Sequence, residues 1–518
     1  MRRSGGYRRG MPTRPTLRRC ALVALLALGL AGCVAPKHQA SAPTSAASAT
    51  SGTSDPALAR FYDQVLEWTT CGSEQCADAT VPLDWTEPDG DTITVALRRV
   101  PASSGEPVGS LLVNPGGPGR SAIDTLGFFR QVVSREVLAA YDLVAFDPRG
   151  VQHSSPVTCV EPAELDALTS WVPDLSTDEG IAEAVERNGE FGQACLERTG
   201  PLLGHVDTVS AARDMDVLRA ALGDEALTYL GFSYGTELGA TYAALFPERV
   251  GRMVLDGAMD PTLDSGEVAA GQAAGFEGAL RAYVADCQAG AACPLDGDVD
   301  AGLTQITRMF DRIAANPLPT GTDRELTLAL AFSGVAAPLY AQASWPLLTQ
   351  ALTAAIEEGD GSVLLQLADS YYGRAPDGTY SSNQNEAFSA ILCLDDRPSA
   401  DPDDMRADAA EVAAVAPTVG RFFSYGGVAC EAWPVPAVGA LESYAADGAA
   451  PVLVIGTTND PATPYAWAEQ LAEIMSSGVL LTYEGEGHTA YGRSNQCVKG
   501  AVDTYLLTGE APADGTRC

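Results

Sequence analysis

The feature that most constrains this chain is Thr228-Tyr229-Leu230-Gly231-Phe232-Ser233-Tyr234-Gly235, a short apolar run that breaks into Gly-x-Ser-x-Gly. Glycines two places before and after a serine permit a turn so tight that side chains there would clash. Residues 236–245 then read as a helix that stops before Pro247. A strand that feeds a helix through such a turn lifts the serine hydroxyl to the edge of a sheet, at a helix N-terminus. A chain of this length holds roughly 0.3 such matches by chance, so the flanking strand and helix carry the reading.

The rest of the chain repeats the strand-then-helix rhythm. Short β-branched runs at 92–100, 110–114, 141–146, 226–232, 252–256, 451–456 and 479–483 end in Gly, Pro or Asp, with Ala/Leu-rich stretches between them. This alternation predicts an α/β fold with a mostly parallel central sheet. With 518 residues, the chain exceeds the roughly 250–300 that one core organises. The excess lies in one place: residues 258–450 separate the fifth and sixth runs and carry helical spacing, as in Trp345-Pro346-Leu347-Leu348-Thr349-Gln350-Ala351-Leu352. The division expected is a first core segment at 58–260, a helical lid at 261–416 above the carboxyl ends of the strands, and a segment at 417–518 that completes the core.

A serine hydroxyl is a weak nucleophile at neutral pH and needs a base, itself oriented by an acid. Four histidines make the search short. His38 lies in a low-complexity stretch, and His153 and His205 in connecting segments, where a structural or surface role is the ordinary expectation. His488, in Glu484-Gly485-Glu486-Gly487-His488, follows the last run and is the expected base. Asp460 closes the preceding run, Val452-Leu453-Val454-Ile455-Gly456-Thr457-Thr458-Asn459-Asp460, and is the expected acid, with Glu484 and Glu486 as weaker rivals. Backbone N–H donors for a developing oxyanion are expected at Tyr234, after the serine, and at Gly117 in Asn114-Pro115-Gly116-Gly117-Pro118-Gly119. That glycine loop lacks the Gly-Lys-Ser/Thr ending of a phosphate-cradling loop.

The N-terminus reads as an export signal. Seven arginines and no acid precede an apolar run from Cys20 to Leu30, which is followed by Leu30-Ala31-Gly32-Cys33. Cleavage before Cys33 and acylation of its thiol are expected, giving a signal at 1–32, a flexible Ala/Ser/Thr-rich tether at 33–57 and a protein held by lipid at the outer face of a membrane. An ordinary secretory signal is the alternative, and Arg18-Arg19 leaves the export route open. Losing the seven arginines takes the formal charge from −35 to −42, which excludes nucleic acid as a partner. Apart from Cys20 and Cys33, ten cysteines remain of the twelve. In an oxidising compartment, nearest-neighbour pairing would join Cys71–Cys76, Cys159–Cys195, Cys287–Cys293, Cys393–Cys430 and Cys497–Cys518. No Cys-x-x-Cys pair supports a zinc site, and no cofactor or metal is expected.

Four blocks resemble the secreted tripeptidyl and prolyl aminopeptidase branch of the α/β-hydrolases: 114–119, Asp147-Pro148-Arg149-Gly150, 231–261 with Phe246-Pro247-Glu248-Arg249-Val250, and 456–488. The resemblance implies Ser233, Asp460 and His488 as a triad, peptide substrates and a helical lid. Two departures stand out: Gly119-Arg120-Ser121-Ala122, where many relatives continue with glycine and serine, and Gln152-His153-Ser154. The first bears on the shape of the substrate pocket. An aminopeptidase must hold a peptide's α-ammonium, for which Asp395, Asp396 and Glu431 are candidates, since a Cys393–Cys430 bridge would draw their stretches together. A carboxylesterase or lipase with the same triad, and a lipoprotein that only binds peptides, are the competing readings.

Overall fold

The computed structural model describes residues 56–518; the expected signal, the expected lipidation site Cys33 and most of the expected tether lie outside the described residues. Among the described residues ten strands form one sheet: β1 Thr69–Cys71, β2 Glu74–Pro82, β3 Thr92–Val100, β4 Ser110–Asn114, β5 Asp142–Phe146, β6 Leu227–Phe232, β7 Val250–Asp256, β8 Val452–Asn459, β9 Gly478–Glu486 and β10 Thr516–Arg517. Their order is β1-β2-β3-β5-β4-β6-β7-β8-β9-β10. From β5 to β10 all pairings are parallel, while β1, β2 and β3 extend the β5 edge antiparallel. This is the α/β-hydrolase fold with a largely parallel central sheet.

The central strands are buried on both faces, as crossover helices require. Alternation then divides their side chains between two cores. Leu112, Val144, Tyr229 and Val454 pack on one side, and Leu111, Val113, Ala145, Leu230 and Ile455 on the other. Between β7 and β8 the chain departs into seven α-helices, among them Ser265–Ala289, Leu328–Leu339 and Gln384–Asp395. Most of this insertion has its own core, built on Phe276, Leu280, Tyr283, Phe310, Leu330 and Leu348, as expected of a lid. The helix Gln384–Asp395 is different: Ala387, Ala390, Ile391 and Leu394 join the hydrolase core.

The sequence expectation missed β1, β2 and β10. In β2 the alternation is real, with Ala77, Ala79 and Val81 buried while Asp78 and Thr80 face outward, but its inward residues are mostly alanines of low β-propensity. Tyr141, expected as the first residue of β5, instead ends the helix Arg135–Ala140 as its C-cap. β8 and β9 run three residues beyond the expected ends, to Asn459 and Glu486, which pair with each other. All five nearest-neighbour disulfides are formed.

Candidate active site

The sheet reverses its winding between β4 and β6, so the loops leaving their carboxyl ends part and open a crevice. Asn114 of β4 lies beside Gly231 of β6, and Phe232 beside Asp256 of β7. Ser233 follows at once. Its backbone N–H donates to the Asp256 carbonyl at 3.0 Å, and its carbonyl accepts from Thr236 N at 2.7 Å and from the Thr236 hydroxyl at 2.6 Å. These bonds hold Ser233 at φ 55°, ψ −128°, a conformation that costs a non-glycine residue roughly 1–3 kcal/mol and must be imposed by its surroundings. The flanking glycines make room: a Cβ on Gly231 would lie 2.3 Å from the Gly235 carbonyl oxygen, and one on Gly235 2.8 Å from Asn114 Oδ1.

Asp460 and His488 arrive from the extended ends of β8 and β9. His488 Nδ1 lies 2.9 and 3.0 Å from the two Asp460 carboxylate oxygens. Asp460 also accepts from Ala462 N, Thr463 N and Thr489 N, so its orientation is fixed by backbone. Thr463 Oγ1 stands 3.3 Å from the same Nδ1. A carboxylate against Nδ1 fixes the proton there and leaves Nε2 as the acceptor. Nε2 is buried and has no hydrogen-bond partner among the described residues; it is the ring nitrogen left for the serine hydroxyl. The ring borders the elbow, since a Cβ on Gly257, just past Asp256, would lie 3.1 Å from its Cε1. Asp256 accepts from Ala490 N and Tyr491 N, tying the histidine loop to β7, and its burial pushes its pKa up to about 6.

The rivals for these roles sit elsewhere. Glu484 pairs with Arg517, and Glu486 accepts from Asn459. His153 meets Asp124 at the surface, and the His205 carbonyl accepts from Arg149. The Asp-Pro-Arg-Gly block is a brace. Arg149, fully buried, binds Asp214 through two nitrogens, and Asp147 accepts from Ser121, Ile123 and His153, pinning the segment beyond the glycine loop.

That loop lies against the elbow. A Cβ on Gly116 would fall 2.9 Å from Ser233 Cβ and 3.1 Å from Tyr234 N. The Gly116 N–H is taken by Asn114 Oδ1 at 2.8 Å, so Gly117, at φ 118°, offers the next N–H of the loop. Tyr234 N, the other expected donor, stands at the start of the helix Tyr234–Leu245 directly after Ser233.

The three candidate ammonium ligands diverge. Although the Cys393–Cys430 bridge forms, Glu431 is exposed, and Asp396 accepts from the Ser265 N–H and hydroxyl. Asp395 alone turns toward the elbow. It accepts from Thr208 N at 2.8 Å and Thr208 Oγ1 at 2.5 Å, and Tyr234 Oη is 2.5 Å from the same hydroxyl. Burial, then the neighbouring Glu237, hold the Asp395 carboxyl well above the ordinary range. Glu237, one helical turn past Ser233, is raised by burial to about 7. Sequence reasoning did not single it out; an acid on an otherwise apolar elbow helix was the available signal. Among the described residues no group of three or more His, Cys, Asp or Glu is arranged to hold a metal ion.

Comparison with known proteins places this geometry among hydrolases. The family model described as "TAP-like protein" matches residues 416–518, the stretch that bears Asp460 and His488. Serine protease Hip1 of Mycobacterium tuberculosis is 38% identical over 482 residues, covering 88% of this chain and 91% of that protein. Carboxylesterase B of the same organism is 38% identical over 454 residues, covering 86% of each chain. Tripeptidyl aminopeptidase of Streptomyces lividans is 32% identical over 481 residues, covering 89% of this chain and 88% of that one. Among solved structures, proline iminopeptidase from Mycobacterium smegmatis is 15% identical with a TM-score of 0.34, over 83% of this chain and 97% of that one.

Proposed function

Because the chain belongs to the actinobacterial serine-hydrolase family that includes protease Hip1 and the tripeptidyl aminopeptidases, we propose that it is an aminopeptidase releasing short N-terminal peptides through an acyl-enzyme on Ser233. In this reading Ser233 attacks the scissile carbonyl while His488 Nε2 takes its proton. Asp460 keeps the other ring proton on Nδ1 and stabilises the imidazolium that forms. The N–H groups of Tyr234 and Gly117 receive the oxyanion. His488 then returns the proton to the departing amine, and water repeats the sequence on the acyl-enzyme.

The observation that carries the aminopeptidase reading is the acid pair Asp395 and Glu237. Both carboxyls are raised by burial, and neither forms an ion pair with a described residue. A substrate α-ammonium would supply the missing positive charge within reach of the elbow, through the Asp395–Thr208–Tyr234 chain of hydrogen bonds. Hydrolysis of esters by the same acyl-enzyme is the second reading, favoured by the equal identity to carboxylesterase B. Acylation at Cys33, and with it attachment to the outer face of a membrane, completes the proposal.

Digestion of a peptide mixture by the purified soluble domain, read by mass spectrometry, tests this. Short N-terminal fragments should appear from free peptides and not from N-acetylated ones, and vanish with Ser233→Ala. Equal cleavage of both sets would remove the aminopeptidase reading, and cleavage of simple esters alone would establish the second.

A further inference from the structure

Two arginines stand at the catalytic crevice and the triad employs neither. Arg120 follows the glycine loop, whose Gly119 is packed so closely on the helix Gln384–Asp395 that a Cβ there would lie 2.7 Å from the Gln384 carbonyl oxygen. On its other side Ser121 is clamped by the Asp147 carboxylate. Arg120 is thus presented from a fixed loop. Arg493 comes from the histidine loop, where its Nη1 donates to the His488 carbonyl at 3.2 Å and its guanidinium lies 5.3 Å from the centre of the Phe128 ring. Phe128 in turn packs on Phe232, the residue before the serine, at 6.2 Å.

Tyr340 links the two. Its carbonyl accepts from His488 N at 2.9 Å, its ring stands edge-on to the His488 ring at 5.4 Å, and its hydroxyl is in electrostatic reach of Arg120. The Arg120 side chain is exposed; partial desolvation, followed by repulsion from Arg493, lowers its pKa. Among the described residues it forms no hydrogen bond or ion pair, in a chain with 67 acidic residues for 32 basic ones. Asp256 and Asp460 offset the charge of Arg493, whereas no described acid pairs with Arg120, and a like charge nearby without a counter-ion of its own is unfavourable for it. An anion at Arg120 relieves that repulsion, and guanidinium groups suit carboxylates above other common anions of peptides.

The position says which part of a substrate would carry that anion. His488 hands its proton to the leaving group, so the leaving group passes beside the His488 ring, between Tyr340 and the two arginines. We infer that Arg120 and Arg493 form a carboxylate-binding subsite on the leaving-group side of Ser233, selecting substrates with a carboxylate close to the scissile bond. That carboxylate is either an acidic side chain just after the bond or the free C-terminus of a short peptide. Arg120 is the specificity-determining residue. Arg493, tied to the His488 carbonyl, positions the loop as well. In its peptide form the inference rests on the aminopeptidase reading; a pair of esters makes it independent of that reading.

The experiment compares kcat/KM for peptides that differ only after the scissile bond: Glu-amide against Gln-amide for the side chain, and Ala with a free carboxylate against Ala-amide for the terminus. The wild-type enzyme should favour at least one carboxylate member by about tenfold. Arg120→Gln should bring that ratio close to one, and Arg120→Lys should keep most of it. A wild-type ratio near one for both pairs, or a ratio that survives Arg120→Gln, overturns the subsite. If no peptide is cleaved, the aminopeptidase reading has failed, and the acetyl esters of 4-hydroxybenzoate and 4-hydroxybenzamide decide the subsite by the same ratio of ratios. If Arg120→Gln does not fold, ionic strength takes its place: the wild-type preference should shrink with added salt, and a salt-independent preference refutes the charge pairing.

Discussion

Replacing Glu237 by Gln keeps the shape of the side chain and removes its charge, which sets stability against function in a measurable way. Burial raises the Glu237 pKa from 4.5 to about 7. An acid with a raised folded-state pKa binds its proton more tightly in the folded state. Its contribution to stability is therefore complete below about pH 4.5 and is lost as pH rises to about 7. Each pH unit between the two values corresponds to about 1.4 kcal/mol, so the loss at pH 8 is about 3 kcal/mol. Glu237→Gln loses nothing over that window. For some 460 residues unfolding together, an entropy near 2 cal/mol/K per residue converts 3 kcal/mol to a shift of about 3 °C. Melting at pH 4.5 should place the two proteins together, and at pH 8 the variant should melt about 3 °C higher. On free peptides the variant should lose about tenfold or more in kcat/KM, since a charge-assisted hydrogen bond is worth roughly 1.5–3 kcal/mol; ester substrates lacking an amine should be spared. Melting curves that stay parallel across pH would refute the burial argument. Unchanged cleavage of free peptides would refute the assignment to the α-ammonium.

Further outcomes follow from the same geometry. Asp460→Asn leaves the hydrogen-bonded frame of Ala462 and Thr463 in place but no longer fixes the Nδ1 proton, so kcat should fall by about 10³–10⁴ with little change in KM or melting temperature; a loss below tenfold would mean another group orients His488. Gly231→Ala forces a Cβ to within 2.3 Å of the Gly235 carbonyl, and overpacking of this kind costs about 1–3 kcal/mol. Activity should drop at least 100-fold as the elbow moves the serine relative to its donors, and wild-type turnover in a folded variant would contradict the tight-turn argument.

The elbow and the pairing of the candidate base with the candidate acid were legible because each is a local event: a glycine-flanked serine after a strand, a histidine past the last strand, an aspartate past the one before. The sheet's centre was legible for the same reason, since runs such as Leu111 to Val113 are apolar on both faces. The added edge strands were not, because Ala77 and Ala79 give alternation without β-forming side chains. The substrate-facing residues depend on contacts between distant segments. Asp395 and Asp396 are neighbours in sequence, yet the helix ends at Asp395 and the backbone turns extended at Asp396, φ −147°, ψ 155°, which sends one carboxylate to Thr208 and the other to Ser265. Tyr340 reaches His488 from an insertion whose placement no local pattern encodes. Arg120 stood out as a departure in an otherwise family-like loop, but its meaning required Arg493 and Tyr340 beside it.

The central claim is that Ser233 is the acylated nucleophile. Its most direct test is reaction of the purified enzyme with a fluorophosphonate, followed by peptide mass spectrometry to locate the adduct and by assay of residual activity. The account predicts one stoichiometric adduct, on Ser233, with activity falling in step with labelling and no labelling of Ser233→Ala. An adduct at another serine that tracks the loss of activity, or hydrolysis that persists in Ser233→Ala, would contradict it.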